Sequence, residues 1–160
     1  MDWQEVCNDS RLKDLPYKIE LNEYGKILMS PQKVYHSAYQ SALCHLLQTL
    51  LSTGMALSEC AIATPRGTKV ADVAWASRAR FEQIKNEVEC SVAPEICVEI
   101  VSASNSKKEM EERKALYFAR GAEEFWLCSE TGEMSFYDRQ GRRDGSVLVP
   151  AFPRKVDLRG

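Results

Sequence analysis

The chain has no excess of positive charge and no long apolar run. Its formal net charge is −2 over 160 residues, so no overall positive field draws it to nucleic acid, and any such binding depends on a local patch. The most apolar stretch, residues 41–51, is interrupted by His45 and Gln48 and is too short to span a bilayer. Residues 1–5 are acidic and lack the basic and apolar regions of a secretory signal. We therefore expect a soluble, cytoplasmic protein with no membrane partner.

The chain also lacks the ligand spacings of a zinc protein. Its six cysteines include no CxxC pair, and only two histidines are available to help them. Cysteines scattered through apolar segments are typical of small core residues in a reducing compartment, and this role is predicted for Cys44, Cys60, Cys97 and Cys128. Neither a structural zinc ion nor thiol-based redox chemistry is therefore expected.

What is present is an ordinary globular composition, with 44% hydrophobic and 28% charged residues. A chain of 160 residues is long enough to enclose a core but too short for two typical domains. We therefore expect residues 1–160 to form a single domain, so that every motif belongs to one fold.

The hydrophobic periodicity predicts an α/β order of helices and strands. Two alternating runs flank Asn22-Glu23-Tyr24-Gly25, which has the turn chemistry of a β-hairpin, and this hairpin precedes the main fold. The later segments are, in chain order, a helix over 32–52, strands over 57–63 and 69–76, a loop or short exposed helix over 78–91, a buried strand over 95–101, a helix over 105–121, and strands over 124–128, 134–137 and 146–149. The strand, helix and strand from 95 to 128 predict a parallel pair with a right-handed crossover, in a mixed sheet covered by helices.

Two of the predicted buried strands carry an acid in the middle. Asp72 lies within the run 69–75, and Glu99 lies within the run 96–101. An unpaired buried carboxylate costs several kcal/mol, so each acid needs either a partner or a function. A structural ion pair explains one such acid well, whereas two together favour a functional site.

A third irregular residue lies on the helix that follows Glu99. The apolar stripe of this helix is formed by Met110, Tyr117, Phe118 and Gly121. Lys114 interrupts the stripe, whereas Arg113 fits a solvated face. Because the helix directly follows the Glu99 strand, we expect Lys114 to direct its amine towards Asp72 and Glu99.

Two carboxylates and an ammonium in one partly buried place suit phosphodiester hydrolysis. Magnesium commonly takes one or two carboxylates and keeps its other positions for water and substrate phosphate, and Asp72 and Glu99 meet that demand. A bound metal lowers the pKa of its water, while a lysine can orient the nucleophile or stabilise the transition state. An ion-pair cluster without activity suits the same residues, so the spacing alone leaves both interpretations open.

The order and spacing of several elements resemble the Uma2 (Uma-two) family of endonucleases in the PD-(D/E)XK restriction-endonuclease-like superfamily. The similarity extends from about Tyr17 to Tyr137, and its elements are Tyr17-Lys18-Ile19-Glu20, His36, Val70-Ala71-Asp72-Val73, the segment from Val98 to Ser104, Lys114-Ala115-Leu116-Tyr117 and the segment from Gly121 to Leu127. The resemblance implies a restriction-endonuclease-like αβββαβ core with a mixed sheet, preceded by the N-terminal β-hairpin. It also implies Mg²⁺-dependent cleavage of nucleic acid, with Mn²⁺ able to replace Mg²⁺.

The resemblance implies roles for individual residues. Asp72 and Glu99 match the metal-binding acids, and the backbone carbonyl of Ile100 is a further ligand. Glu20 matches an acid of the family's hairpin and receives an auxiliary metal or structural role. His36 also matches the family, but a lone histidine at a helix start fits capping or packing.

The sequence departs from the superfamily pattern at two positions. Ala71 replaces the proline before the first acid, which matters little for the chemistry. Val101 stands where the superfamily has a lysine, two residues after Glu99, and this change removes activity unless another lysine substitutes. Lys114 is the expected substitute and is therefore counted with Asp72, Glu99 and Glu20 among the catalytic residues.

We therefore expect a Mg²⁺-dependent endonuclease that hydrolyses phosphodiester bonds in DNA. The alternative is a catalytically inactive nuclease-fold module that binds nucleic acid or a protein partner. The missing lysine at position 101 and the acidic net charge favour this alternative, whereas the two retained acids and an inward lysine favour the enzyme. A homodimer is expected because two sites cleave both strands of a duplex most simply.

Overall fold

The fold is described by a computed structural model, which covers residues 1–159. A short helix α1 (Trp3–Asn8) and a 3₁₀ turn (Ser10–Leu12) precede a hairpin of β1 (Tyr17–Leu21) and β2 (Ile27–Pro31). The chain continues as α2 (Val34–Leu50), β3 (Met55–Thr64), β4 (Gly67–Ala76), α3 (Arg78–Ile84), β5 (Ile96–Ile100), α4 (Lys107–Ala119), β6 (Glu124–Cys128), β7 (Met134–Asp138) and β8 (Gly141–Arg143).

The last six strands form one mixed sheet in the order β3-β4-β5-β6-β7-β8. Strands β5 and β6 are parallel because α4 returns the chain across the sheet between them, and the other neighbouring pairs are antiparallel. The hairpin forms a separate two-stranded sheet. The predicted α/β fold, with its hairpin, mixed sheet and parallel strand-helix-strand unit, is confirmed.

Helices α2 and α4 cover the sheet through two clusters of buried side chains. Leu47 of α2 packs in a cluster that contains Trp126, whereas Tyr117 of α4 packs in a cluster that contains Phe125. Each fully buried side chain of this size stabilises the fold by about 1.5–3 kcal/mol. The even-numbered residues of β5 belong to the α2 cluster. Since neighbouring strand residues face opposite sides, Glu99 lies on the α4 side of the sheet.

The hairpin turn has the local chemistry that its sequence predicts. Asn22 Oδ1 accepts hydrogen bonds from the backbone N of Tyr24 at 2.9 Å and of Lys26 at 3.0 Å. Gly25 adopts φ +74°, a conformation that glycine enters at little cost. The turn therefore fixes the register in which Lys18 and Glu20 are presented.

Residues 146–149 do not form the predicted strand. The sheet instead ends with β8, which pairs antiparallel with β7. The buried carboxylate of Glu124 accepts hydrogen bonds from Ser146 Oγ and from the backbone N of Leu148, both at 2.7 Å. A side-chain carboxylate thus satisfies the polar groups of this segment in place of a neighbouring strand.

Helix α1 was not predicted, although its capping box is visible in the sequence. The backbone N of Glu5 donates to Asp2 Oδ1 at 2.9 Å, and the backbone N of Asp2 donates to Glu5 Oε2 at 2.7 Å. The segment 78–91, predicted as a loop or short exposed helix, contains α3. Within residues 1–159, no helix is long and apolar enough to cross a membrane.

Most of the cysteines are interior side chains. Cys44 is partly buried and Cys7 is exposed, while the buried cysteines are Cys60, Cys90, Cys97 and Cys128. Burial, with the charge of Asp72 nearby, raises the pKa of Cys128 to about 12, which disfavours its reactive thiolate. The predicted core position is confirmed for Cys60, Cys97 and Cys128, and holds only in part for Cys44.

We expect a chromogenic disulfide reagent to modify Cys7 rapidly in native buffer and the four buried thiols only after denaturation, because the reagent must reach a thiolate. The absorbance of the released chromophore counts the thiols with time. Cys7→Ser should remove the fast phase and leave the slow phases unchanged. Fast reaction of three or more thiols in the folded protein would contradict the core assignment.

Candidate functional site

The hairpin lies against β4 and presents two charged side chains there. Lys18 and Glu20 are two residues apart on β1, so they share one side of the strand. Glu20 Oε2 accepts a 2.6 Å hydrogen bond from the backbone N of Val70 on β4. At the β3–β4 turn Gly67 has φ +92°, and a Cβ there would collide with the carbonyl oxygen of Leu21. Polar and steric contacts together therefore fix the hairpin on the sheet.

Asp72 and Glu99 lie side by side on the neighbouring strands β4 and β5. Val73, which follows Asp72 on β4, pairs with Val98, which precedes Glu99 on the antiparallel β5. Asp72 Oδ2 accepts a 2.8 Å hydrogen bond from the backbone N of Ile100. Both acids are only 2% exposed. The strand pairing thus places two carboxylates at one buried position, as the sequence pattern predicts.

Lys18 bridges the two acids. Its Nζ lies 3.0 Å from Glu99 Oε1, to which it donates a hydrogen bond. The same Nζ lies 3.1 Å from Asp72 Oδ1, at ion-pair distance but outside hydrogen-bond geometry. Since these charges are removed from water, the ammonium compensates carboxylates that would otherwise be strongly destabilising.

Arg113 of α4 adds a second cation to this cluster. Its Nη1 lies 2.6 Å from Glu20 Oε2 and 3.4 Å from Glu99 Oε1. Its Nη2 also donates to Glu20 Oε1, so the guanidinium holds Glu20 in a bidentate pair. Two cations thus face the three buried carboxylates of Glu20, Asp72 and Glu99, which leaves one negative charge in surplus.

Burial and the neighbouring charges shift the pKa values of the clustered groups. Burial raises the pKa of Glu99 to about 7, with a smaller contribution from Asp72 and against the opposing effect of Lys18. Burial also acts to raise the pKa of Asp72, but Lys18 and His36 together hold it below its ordinary value. Despite its own burial, Lys18 has a raised pKa because both acids stabilise its charge. The ammonium of Lys18 is therefore retained at neutral pH.

Helix α2 also contacts the acid pair. His36 is buried, and its Nε2 lies 3.2 Å from Asp72 Oδ1. Gln40, one helical turn later, donates a 2.8 Å hydrogen bond to the backbone carbonyl oxygen of Asp72. The capping or packing role expected for His36 therefore does not account for its main polar contact, which is with Asp72.

Five buried polar side-chain atoms of residues 1–159 have no hydrogen-bond partner, and all five belong to residues that line one cavity of about 660 Å³. They are Gln32 Nε2, His36 Nδ1, Asp72 Oδ1, Glu99 Oε2 and Arg113 Nε. Buried polar groups are nearly always paired, so this concentration marks a place arranged for a ligand. We call this space, with Asp72 and Glu99 on its wall, the acid cavity.

Lys114 does not contact the acids, and its predicted placement is wrong. The buried residues of α4 are Met110, Arg113 and Tyr117. Lys114 Nζ lies 2.9 Å from Glu111 Oε2 and 4.5 Å from the centre of the Tyr137 ring. Successive helical residues are rotated by about 100°, so an error of one position in the inward face exchanges Lys114 for Arg113. Arg113, expected on the solvated face, is the inward cation.

Lys18 was missed as a site residue because its position depends on tertiary docking of the hairpin. One signal was available in the sequence: Lys18 and Glu20 alternate with Tyr17, Ile19 and Leu21, so two opposite charges share one face of a short strand. On an isolated hairpin that face meets water. The docking on β4 turns it into the wall of a buried site.

The cluster fits a divalent cation that is held by few protein ligands. In the part of the chain that the structure describes, no three His, Cys, Asp or Glu side chains are arranged to hold a metal ion. Asp72 and Glu99 nevertheless each keep a carboxylate oxygen without a hydrogen bond, and Ile100 lines the same cavity. Two carboxylates and a surplus negative charge match the donor set of magnesium when water and substrate fill its other positions.

Comparisons with known proteins agree with this fold. The chain matches the model of the Uma2 family, described as "Putative restriction endonuclease", over residues 9–158. It is also similar to the crystal structure of a "putative nuclease" from Anabaena variabilis ATCC 29413, with a TM-score of 0.72 over 99% of this chain and 96% of that chain. The two sequences are 19% identical, so this likeness shows a shared fold. No curated protein matches the chain.

We expect Arg113→Met to lower the free energy of unfolding by about 3–5 kcal/mol, because Glu20 is left buried without its bidentate partner. Urea unfolding followed by tryptophan fluorescence measures this change.

Arg143→Met is the matched control, because the side chain of Arg143 is 42% exposed in its pair with Asp138, and the loss of a solvent-exposed pair changes stability little. If the two variants unfold at the same urea concentration, the buried pair does not have the structural role assigned to it.

Proposed function

This chain belongs to the Uma2 family, and we propose that it is a Mg²⁺-dependent endonuclease that hydrolyses phosphodiester bonds in DNA. One observation carries the proposal. Asp72, Glu99 and Lys18 converge at the acid cavity, and every unpartnered buried side-chain polar atom of residues 1–159 belongs to a residue of its lining. Unpaired polar atoms would destabilise a hydrophobic core, whereas a charged substrate and a cation can pair with them.

Asp72 and Glu99 would hold the metal ion, with the backbone carbonyl of Ile100 as the further ligand that the family resemblance implies. A divalent cation bound there polarises a phosphate and lowers the pKa of a bound water. The backbone N of Ile100 fixes one oxygen of Asp72, and His36 faces the other. The carboxylate of Asp72 is therefore oriented before a cation would bind.

Lys18 takes the role that the sequence assigned to Lys114. Val101 occupies the superfamily lysine position, but Lys18 brings an amine to the same two acids from the hairpin. From there the ammonium can donate a hydrogen bond to the attacking water or to a phosphate oxygen. Because it is held in place by its carboxylate partners, it stabilises developing negative charge without prior rearrangement.

Glu20 and Arg113 act as positioning residues. Glu20 joins the hairpin to β4 through Val70 and to α4 through Arg113. Arg113 also reaches Glu99, so the pair links the hairpin to the second acid. The sequence left a metal-binding and a structural role open for Glu20. We assign the structural role, because both oxygens of its carboxylate are already hydrogen-bonded to Val70 or Arg113.

The second candidate function is a catalytically inactive module that binds nucleic acid or a protein. One observation favours it: Lys18 already neutralises much of the charge on Asp72 and Glu99, so the cluster is stable as an ion-pair network. The two candidates differ in one measurable property, which is metal-dependent cleavage.

We expect the protein to cut DNA in Mg²⁺ or Mn²⁺, and we expect Asp72→Asn and Lys18→Met each to lower the rate by about 10²–10³-fold, the usual cost of removing one group that stabilises the transition state. Supercoiled plasmid and circular single-stranded DNA serve as substrates, assayed by gel electrophoresis. Lys114→Met is the matched control and should cut at the wild-type rate, because its amine lies on Glu111 and Tyr137.

Calorimetry with Mn²⁺ separates the two roles, since Asp72→Asn should lose metal binding and Lys18→Met should keep it. Cutting that survives Asp72→Asn would reveal a contaminant. Wild-type cutting by Lys18→Met would refute the catalytic role of Lys18. A wild-type protein that binds DNA but leaves every substrate intact would favour the inactive module.

A further inference from the structure

The two acids account for only part of the acid cavity. If Asp72 Oδ1 and Glu99 Oε2 serve a cation, Gln32 Nε2, His36 Nδ1 and Arg113 Nε still have no hydrogen-bond partner. Arg113 belongs to the charge cluster, but Gln32 has no contact with it among the hydrogen bonds and ion pairs of the site. The part of the cavity next to Gln32 is therefore arranged for a second portion of the substrate.

Gln32 and His36 each present an unpaired nitrogen to the cavity. The amide Nε2 of Gln32 is a donor. His36 turns its Nε2 to Asp72 Oδ1, at 3.2 Å, and leaves Nδ1 for the cavity. The edge of a nucleobase carries donors and acceptors side by side, so it can pair with both nitrogens. This combination is suited to a base.

Apolar side chains complete the same wall. Met29, Pro31 and Tyr35 line the cavity together with Gln32. The Tyr35 ring packs edge-on against Tyr39, with 6.3 Å between the ring centres, and this contact holds it in place. Aromatic and apolar side chains offer a stacking surface to bases that have left a helix. We call Met29, Gln32, Tyr35 and His36 the Gln32 wall.

The cavity lacks the positive surface that duplex DNA needs. Its lining carries three basic and four acidic side chains, and the whole chain has a net charge of −2. Affinity for a duplex depends largely on neutralising a row of phosphates with lysine and arginine. One phosphate at the acids and one base on the Gln32 wall agree better with this balance of charge.

From these contacts we propose that the acid cavity takes an unpaired nucleotide, whose base lies on the Gln32 wall while its phosphate lies at the two acids. The substrate is then single-stranded or locally unpaired DNA. The inference rests on the proposed nuclease function for the place of the phosphate. An unpaired strand needs one site for each cut, so it also removes the reason for expecting a homodimer.

Binding in Ca²⁺ tests this inference, with gel electrophoresis showing that the strand stays intact, because a divalent cation supplies the positive charge that the two acids need before a phosphate can lie beside them. The anisotropy of a short fluorescent strand is measured for the strand alone, for the strand annealed to its complement, and for a strand of equal length that lacks its bases. The wild-type protein should bind the normal strand about tenfold more tightly than the other two, since stacking of one base is worth about that factor. Equal binding of the normal and the base-free strand, or tighter binding of the duplex, would overturn the inference.

Variants of the wall locate the base. Gln32→Leu should weaken binding of the normal strand about five- to tenfold, the effect of one hydrogen bond, and should leave the base-free strand unchanged. Gln4→Leu, on the exposed side of α1, is the matched control and should change neither. Gln32→Glu keeps the side-chain size and removes the donor, so it should weaken binding as Gln32→Leu does. Identical behaviour of Gln32→Leu, Gln32→Glu and Gln4→Leu would refute a base contact at Gln32.

The outcomes separate this inference from the proposed function. Base-dependent binding through Gln32 in a protein that cuts no DNA in Mg²⁺ or Mn²⁺ would refute the nuclease and leave the nucleotide subsite intact. Metal-dependent cutting by a protein that binds duplex best and ignores Gln32 would support the nuclease and refute the subsite.

Discussion

The ammonium of Lys18 between Asp72 and Glu99 is the interaction on which the rest of the structure depends. Strands β4 and β5 bring two carboxylates together in the interior, where an uncompensated pair would be strongly destabilising. The cations come from two other elements, Lys18 from the hairpin and Arg113 from α4. The sheet therefore requires both elements for its charge balance as well as for apolar packing. The fold and the site share one set of contacts.

Much of the fold could be predicted because its signals are local. The hairpin turn, the amphipathic helices and the buried strands each follow from side-chain periodicity over a few residues. The acids could also be found, since Asp72 and Glu99 interrupt apolar strands. The error at 146–149 has a different origin: this segment is held by the carboxylate of Glu124, a partner 22 residues away from Ser146 whose role no local pattern reveals.

The cations of the site could not be predicted in the same way. The inward face of α4 is marked by few apolar residues, so a shift of one position was enough to select Lys114 instead of Arg113. Lys18 reaches Glu99 across 81 positions of sequence, and only the docking of the hairpin shows this contact. Sequence reasoning thus recovers residues that violate a local rule, and it misses residues that obey local rules but are placed by tertiary structure.

The close contact of Gly67 with Leu21 gives the protein a remote determinant of its chemistry. Gly67 lies outside the acid cavity, at the turn between β3 and β4, yet it leaves no room for a side chain beneath the hairpin. A methyl group there would lift the hairpin and withdraw Lys18 from both acids, although Asp72 and Glu99 stayed in place. An inventory of acidic residues alone would therefore not show whether a chain of this fold keeps an amine between the two acids.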